Sequence, residues 1–301
     1  MDISLLLDPY VATDLFLQGL VRGSMYALMG AGLALIFGIL GVVNFAHGEL
    51  FMIGSYIAFF ALTSLGLPFP AALAVTLAAT FLIGMALERG LIAPLRARAG
   101  REWTLDSFVL TIGLMIILQN GALMLFSSER RGVASVIDGA VEIGGIVLTY
   151  ERIIIFAASM AVLALLGAFL KWSDFGRAIR ATAQNADAAR TLGIDTGSVN
   201  MISFGIGAAL AGFAGALLIS IYPAYPTVGA MPGLKAFIVV ILGGLGSIQG
   251  AVICAMLLGL AESYSFFILS AGWQEVLTML LLCLVLALRP NGLFALKGIR
   301  A

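Results

Sequence analysis

Residues 235–262 read KAFIVVILGGLGSIQGAVICAMLLGLAE, and no charged side chain falls between Lys235 and Glu262. A helix rises about 1.5 Å per residue, so roughly 20 apolar residues cross the ~30 Å hydrocarbon core of a bilayer. The run exceeds that length, and its one interruption is Gly243-Gly244-Leu245-Gly246-Ser247. Glycine weakens a helix interior by about 1 kcal/mol, so the cluster predicts a break. A packing kink, two half-helices or two short spans would each satisfy it.

Working outward, the same pattern recurs along the chain. No charge lies between Arg22 and Glu49, Glu49 and Glu88, Asp106 and Glu129, Arg152 and Lys171, Asp195 and Lys235, or Glu275 and Arg289. The 301 residues are 61% hydrophobic and 11% charged, with a mean hydropathy of +1.10. A soluble domain carries about 25% charged residues, and one this apolar would expose large patches that promote association. The expected fold is an all-α, polytopic transmembrane bundle of about eight spans with broken or re-entrant helices. Spans are placed near 14–40, 50–66, 69–88, 107–126, 153–171, 199–222, 235–261 (broken) and 275–289. Helices are preferred because barrel strands alternate over only about 10 residues. Residues 1–301 read as one transmembrane domain with no second soluble domain.

Lys and Arg in short loops set the orientation. Arg89, Arg96, Arg98 and Arg101, then Lys171, Arg177, Arg180 and Arg190, then Arg289, Lys297 and Arg300 place three segments in the cytoplasm. The 127–152 segment and the N-terminus, with Asp2, Asp8 and Asp14, are expected outside. No basic region precedes the first apolar run, so that run is expected to serve as its own insertion signal rather than as a cleavable leader. Residues 141–150, VEIGGIVLTY, suit a small external hairpin around Gly144-Gly145.

A second break falls at Gly41-Val42-Val43-Asn44 and Ala46-His47-Gly48-Glu49. Transporters place broken helices near the membrane centre, where a solute passes. Asn44, His47 and Gly48, with Gly207, Gly243, Gly244 and Gly246, are therefore candidates for lining a pathway. Within 199–222, Gly207, Ala211 and Gly215, and also Ala208, Gly212 and Ala216, recur every fourth residue. Such small faces let helices approach closely in lipid.

Between Lys171 and Ser198, Asn185 suits a helix N-cap, Asp187 the first turn and Gly193 the stop. The result is a short cytoplasmic helix with Ala188, Ala189 and Leu192 as a small apolar face and Arg180 and Arg190 nearby. It is either a docking element or a plain connection. Chemistry is sparse elsewhere. His47 is the single histidine, without a metal-ligating cluster around it, and reads as a hydrogen-bonding residue at a helix break, with gating or proton sensing as the alternative. Cys254 and Cys283 lie in apolar runs and read as small buried hydrophobes. There is no G-x-x-x-x-G-K-[ST] phosphate loop, so the chain is not expected to hydrolyse ATP. Charges balance at 16 basic and 16 acidic, and no nucleic-acid partner is expected. Glu49, Glu262 and Glu275 are placed near span ends, which argues against a gradient-driven transporter with carboxylates inside its spans.

Asp187-Ala188-Ala189 followed by Gly193 resembles the Glu-Ala-Ala…Gly coupling element of ABC-importer membrane subunits, with aspartate for glutamate. Gly23–Leu28 (GSMYAL), Ile36-Phe37-Gly38, Asn44–Glu49 (NFAHGE), Gly205–Gly212 (GIGAALAG), Gly243–Ser247 and Arg289–Phe294 (RPNGLF) resemble, in order, branched-chain amino acid permeases of the LivH type. Arg22 stands where that resemblance implies a neutral residue. The resemblance implies a fold like that of type II ABC importers and a multi-pass location in the bacterial inner membrane. It implies a related second permease subunit, two cytoplasmic ATPase subunits that bind ATP and Mg, and an external solute-binding protein. This chain would need no cofactor of its own. Arg180, Asn185, Asp187, Ala188, Ala189, Arg190 and Gly193 would couple it to the ATPase. Branched-chain amino acids are the implied cargo, with other amino acids, amides or urea as related alternatives.

Overall fold

The structure is a computed structural model that describes residues 8–98, 103–135, 137, 139–143, 146–269 and 272–294. The helices are α1 (Pro9–Leu40), α2 (His47–Thr63), α3 (Phe69–Leu87), α4 (Ala93–Arg98), α5 (Trp103–Phe126), α6 (Tyr150–Trp172), α7 (Asp174–Gln184), α8 (Ala186–Thr191), α9 (Thr196–Leu217), α10 (Ala230–Gly243), α11 (Ile248–Leu269) and α12 (Trp273–Leu288). A π-helical turn, Glu88–Ile92, joins α3 to α4. Six helical stretches are long and apolar enough to cross a membrane: Tyr10–Leu40, Phe69–Arg98, Trp103–Phe126, Tyr150–Trp172, Thr196–Leu217 and Ile248–Ile268. The polytopic helical bundle is therefore present. The expected count of about eight is not reached by this measure because α2 and α12 have only 17 and 16 residues, while the broken 235–261 run contributes α11 alone, α10 being shorter still.

Local chemistry sets the ends. Asp8 caps α1 through a 2.9 Å bond from the Tyr10 amide, Pro9 occupies the first turn, and Gly41 closes the helix with φ +69°. The strands Ala140–Ile143 (β1) and Ile146–Thr149 (β2) form the expected antiparallel hairpin, with Val141 opposite Leu148. Its Gly144-Gly145 tip lies outside the described residues, as do Asp2, Arg101, Lys297 and Arg300.

α9 sits at the centre, wrapped by α1, α2 and α3. Both of its small faces are used. A Cβ on Gly207 would lie 2.8 Å from the Gly32 carbonyl of α1, and one on Gly215 would lie 2.8 Å from Ser55 Oγ of α2. Gly212 is pressed between Gly54 of α2 and Thr80 of α3, so closely that only glycine fits. Lipid offers no hydrophobic drive between helices, and close backbone approach supplies dispersion contacts instead.

The long helix α1 and α11 run antiparallel, with Gly23 against Met256 and Gly38 against Gly246. Ile36, Leu40, Val42, Ile92 and Phe204 cluster with Trp103 at one end of the bundle. The turn at 243–247 and the Arg289–Phe294 segment share that end through bonds from the Leu293 and Phe294 amides to Leu242 and Gly243 carbonyls. The Arg-bearing segments 89–98 and 171–198 and the start of the tail thus lie together, and this is called the basic end below. At the opposite end Arg131 pairs with Ala224, Arg152 meets Asp14 at 3.4 Å, and Ser263 Oγ donates to the Leu15 carbonyl. The segments expected to share the cytoplasmic side thus group at one end, and the 127–152 segment and the start of α1 at the other.

Candidate functional site

The loop near the basic end holds two helices where one was expected. Ser173 caps α7 by accepting from the Gly176 amide at 2.8 Å. Asn185 ends α7 and caps α8, accepting from the Ala188 amide at 2.9 Å. Gly193 stops α8 at φ +85°, with bonds from the Gly193 and Ile194 amides to the Arg190 and Ala189 carbonyls. These satisfy carbonyls that a helix end would otherwise leave bare. Asp195 then caps α9: Ser198 Oγ donates at 2.5 Å and the Gly197 amide at 3.0 Å. The Ser198 hydroxyl and amide bonds hold its carboxyl below the usual aspartate range.

The expected apolar face of this loop needs one correction. Leu192 is 81% exposed and Ala188 is exposed, but Ala189 is 2% exposed and turned into the protein. One helical position apart is enough to separate them, because neighbours on a helix point about 100° apart. Arg180 and Asp187 are exposed, and Arg190 donates to Thr196 Oγ1 at 3.2 Å.

The candidate pathway residues fall into two groups. Near the middle of α1, His47 Nε2 donates to the Met29 carbonyl at 3.0 Å, and Gly32 touches both the His47 ring and Gly207. A carbonyl only accepts, so the proton sits on Nε2, and the buried Nδ1 has no partner. Asn44 Oδ1 accepts from the Ala46 amide, turning the chain back into the bundle so that α2 begins halfway along α1. There Gly48 meets Gly229 backbone to backbone at the start of α10, with Gly233 beside them. Two helix N-termini therefore abut inside the bundle. Gly243, Gly244 and Gly246 lie elsewhere, at the basic end, packed against Gly250, Gly292 and Gly38. They close a reversal between α10 and α11, so the 235–261 run is two helices.

The buried charges were missed by the sequence reading. Glu262 is not at a span end: it lies inside α11, 2% exposed. Its carboxylate pairs with Lys235 of α10 and accepts from Thr278 Oγ1 of α12 at 2.6 Å and from Tyr26 Oη of α1 at 2.7 Å. Lys235 also reaches Thr278 Oγ1 at 3.0 Å. One polar knot thus ties four helices. Glu49, 1% exposed, accepts from Gln119 Nε2 at 2.8 Å through Oε1, while Oε2 has no partner. The signal for Lys235 and Glu262 was available: single opposite charges bounding one apolar run. Cys254 is buried as expected, but Cys283 is on the outer surface of α12, where lipid supplies the apolar surroundings. Arg22 lies 5.8 Å from the Phe266 ring centroid. Among the described residues no cluster of His, Cys, Asp and Glu could hold a metal.

A bundle with abutting internal helix ends, an intramembrane ion pair and an exposed capped loop at its basic end is the build of a multi-pass membrane protein of the transport class. The family model for the branched-chain amino acid transport system permease component matches residues 15–286, and the chain belongs to this family. It is 37% identical over 290 residues to the high-affinity branched-chain amino acid transport system permease protein BraD of Pseudomonas aeruginosa, covering 92% of this chain and 93% of the relative. LivH of Escherichia coli strain K12 is 36% identical over 293 residues, with the same coverage. A probable LivH of Methanocaldococcus jannaschii is 26% identical over 289 residues, covering 93% of this chain and 91% of the relative. No solved structure matches the chain.

Proposed function

We propose that this chain is the membrane-spanning permease subunit of a binding-protein-dependent importer that carries branched-chain amino acids across the bacterial inner membrane. The observation that carries the reading is the family match over 15–286, with more than a third of residues identical to BraD and LivH along nearly the whole chain. The chain works as one transmembrane unit. A second related permease subunit completes the membrane part, two ATPase subunits bind ATP and Mg at the basic end, and an external solute-binding protein delivers cargo at the other.

The 171–198 loop is the docking element for the ATPase. Its support is geometric: α8 is capped at both ends and rigid, and it projects Ala188, Leu192 and the Asp187 carboxylate outward. Asn185, Ala189, Arg190 and Gly193 hold its shape, and Arg180 flanks it. The two abutting helix ends at Gly48 and Gly229 supply a bistable junction of the kind that alternating access requires. Asn44 in the preceding turn and His47 at the head of α2, anchored on the Met29 carbonyl of α1, support that junction, and Gly207 of α9 packs beside them.

The test replaces Leu192 or Ala188 with aspartate or arginine in the complex made with the companion permease and ATPase subunits. ATP-dependent leucine uptake into vesicles is expected to collapse while membrane insertion is unchanged. The buried Glu49 and Glu262 give a gradient-driven transporter a footing that their expected placement at span ends had denied it. Uptake that continues without ATP, with no ATPase co-purifying, would assign the chain to that class instead.

A further inference from the structure

Gly229, just before α10, lies against Gly48, and the neighbouring His47 bonds the Met29 carbonyl of α1 at 3.0 Å. Met29 precedes the Leu40 end of α1 by three turns, about 16 Å. Ala224, by contrast, pairs with Arg131 at the opposite end of the bundle. The stretch 225–229 therefore descends without helix from that end to well inside a hydrocarbon core of about 30 Å. Thr227 in this stretch is exposed, and so are Ala230, Met231 and Leu234, which share one face of α10.

Lipid tails offer no hydrogen bonds, and irregular backbone at membrane depth is tolerated only against protein or a water-filled cavity. The same face holds a second feature unsuited to lipid. Leu234 and Lys235 of α10 line a cavity of about 330 Å³ with Glu275, Val276 and Met279 of α12. Lys235 is paired with Glu262. Glu275, exposed in the first turn of α12, has no ion pair among the described residues. Around these charges the face is apolar, with Met231, Val276 and Met279 exposed.

Lipid alone would press hydrocarbon onto a carboxylate and a non-helical chain. Water alone would wet the methionines and the valine. A second protein surface meets both conditions, with a small wet cavity enclosed between the two. The exposed faces of α5 and α6 differ: they are unbroken helix carrying Ile116, Ile117, Leu165 and Phe169, which suit lipid. We propose that the face formed by Thr227, Met231 and Leu234 with the head of α12 is where this chain meets the second, related permease subunit. The occupant is an apolar helix surface of that subunit, with a lysine or arginine placed to meet Glu275. A second copy of this chain, set across a two-fold axis, would present the same face and the same unpaired acid. Charge therefore selects the related subunit over a copy. The proposal rests on the importer reading, which supplies that subunit, and adds the face and the chemistry by which the two meet.

The test uses the whole complex in its own membrane, with an epitope tag on the companion permease. Met231, Val276, Ile116 and Leu165 are replaced, one at a time, by the photo-crosslinking residue p-benzoylphenylalanine. Illumination is expected to join positions 231 and 276 to the companion permease several-fold more than positions 116 and 165. Glu275→Arg is expected to lower recovery of the companion permease several-fold, with membrane insertion of this chain unchanged. Stronger links from 116 or 165 than from 231, or links from 231 to lipid alone, would overturn the face. Unchanged recovery with Glu275→Arg would overturn the charge contact, and a linked product holding two copies of this chain would overturn the choice of partner. Absence of both the companion permease and ATP-dependent uptake from the unsubstituted complex would overturn the importer reading itself.

Discussion

Two buried glutamates divide this bundle into a part that is held and a part with capacity to spare. Glu262 has a cation and two hydroxyls on its carboxylate, drawn from α1, α10 and α12. Glu49 has one neutral amide, from α5. Both are almost completely buried. An ionisable group within a membrane bundle is kept either because it is paired or because it acts. The first description fits Glu262, whose partners fix the half-length helix α10 in place. The second fits Glu49, at the head of α2, where one carboxylate oxygen has no partner.

The contrast can be broken or sharpened by substitution. Lys235→Ala leaves Glu262 buried without its cation and is expected to cost about 3–5 kcal/mol, seen as loss of a monodisperse complex in detergent. Lys235→Met combined with Glu262→Gln should recover most of that yield, because the charge and its uncompensated partner leave together. Thr278→Val removes one hydroxyl bond to the carboxylate and is expected to lower stability by about 1.5–3 kcal/mol, read as a drop in the thermal midpoint. Glu49→Gln is expected to change stability by less than about 1 kcal/mol, since an amide fills the same space and still meets Gln119. If Glu49→Gln destabilised the complex as much as Lys235→Ala, the two acids would be structural equals and the contrast would be void.

Much of the fold was legible because its signals are local. Charge-free apolar runs marked the helices, Asn185 and Gly193 marked α8, and the four-residue spacing in α9 marked the helix that others press against. Asp187 and Leu192 were read onto the surface correctly. Ala189 was not, because its burial depends on how α8 lies against the rest of the chain. Lys235 was taken as the edge of a span since a lysine inside lipid is costly. Its place became clear only when a turn at 243–247 brought α11 alongside and supplied Glu262. Gln119 and Glu49 are 70 residues apart, so no spacing in the sequence could announce the pair.

Helix α1 has 32 residues and is therefore about 48 Å long, against a hydrocarbon core of about 30 Å. The surplus has to tilt or protrude, and its composition decides which. Asp14, bound by Gln18 at 2.7 Å and facing Arg152, favours a wet boundary over hydrocarbon, so the first turns are the part of α1 suited to protrude. A thicker membrane would have to pull that pair into oil, whereas a thinner one asks only for more lean. The protein is thereby matched to bilayer thickness asymmetrically, with α1 acting as a gauge that resists swelling of the membrane more than its thinning.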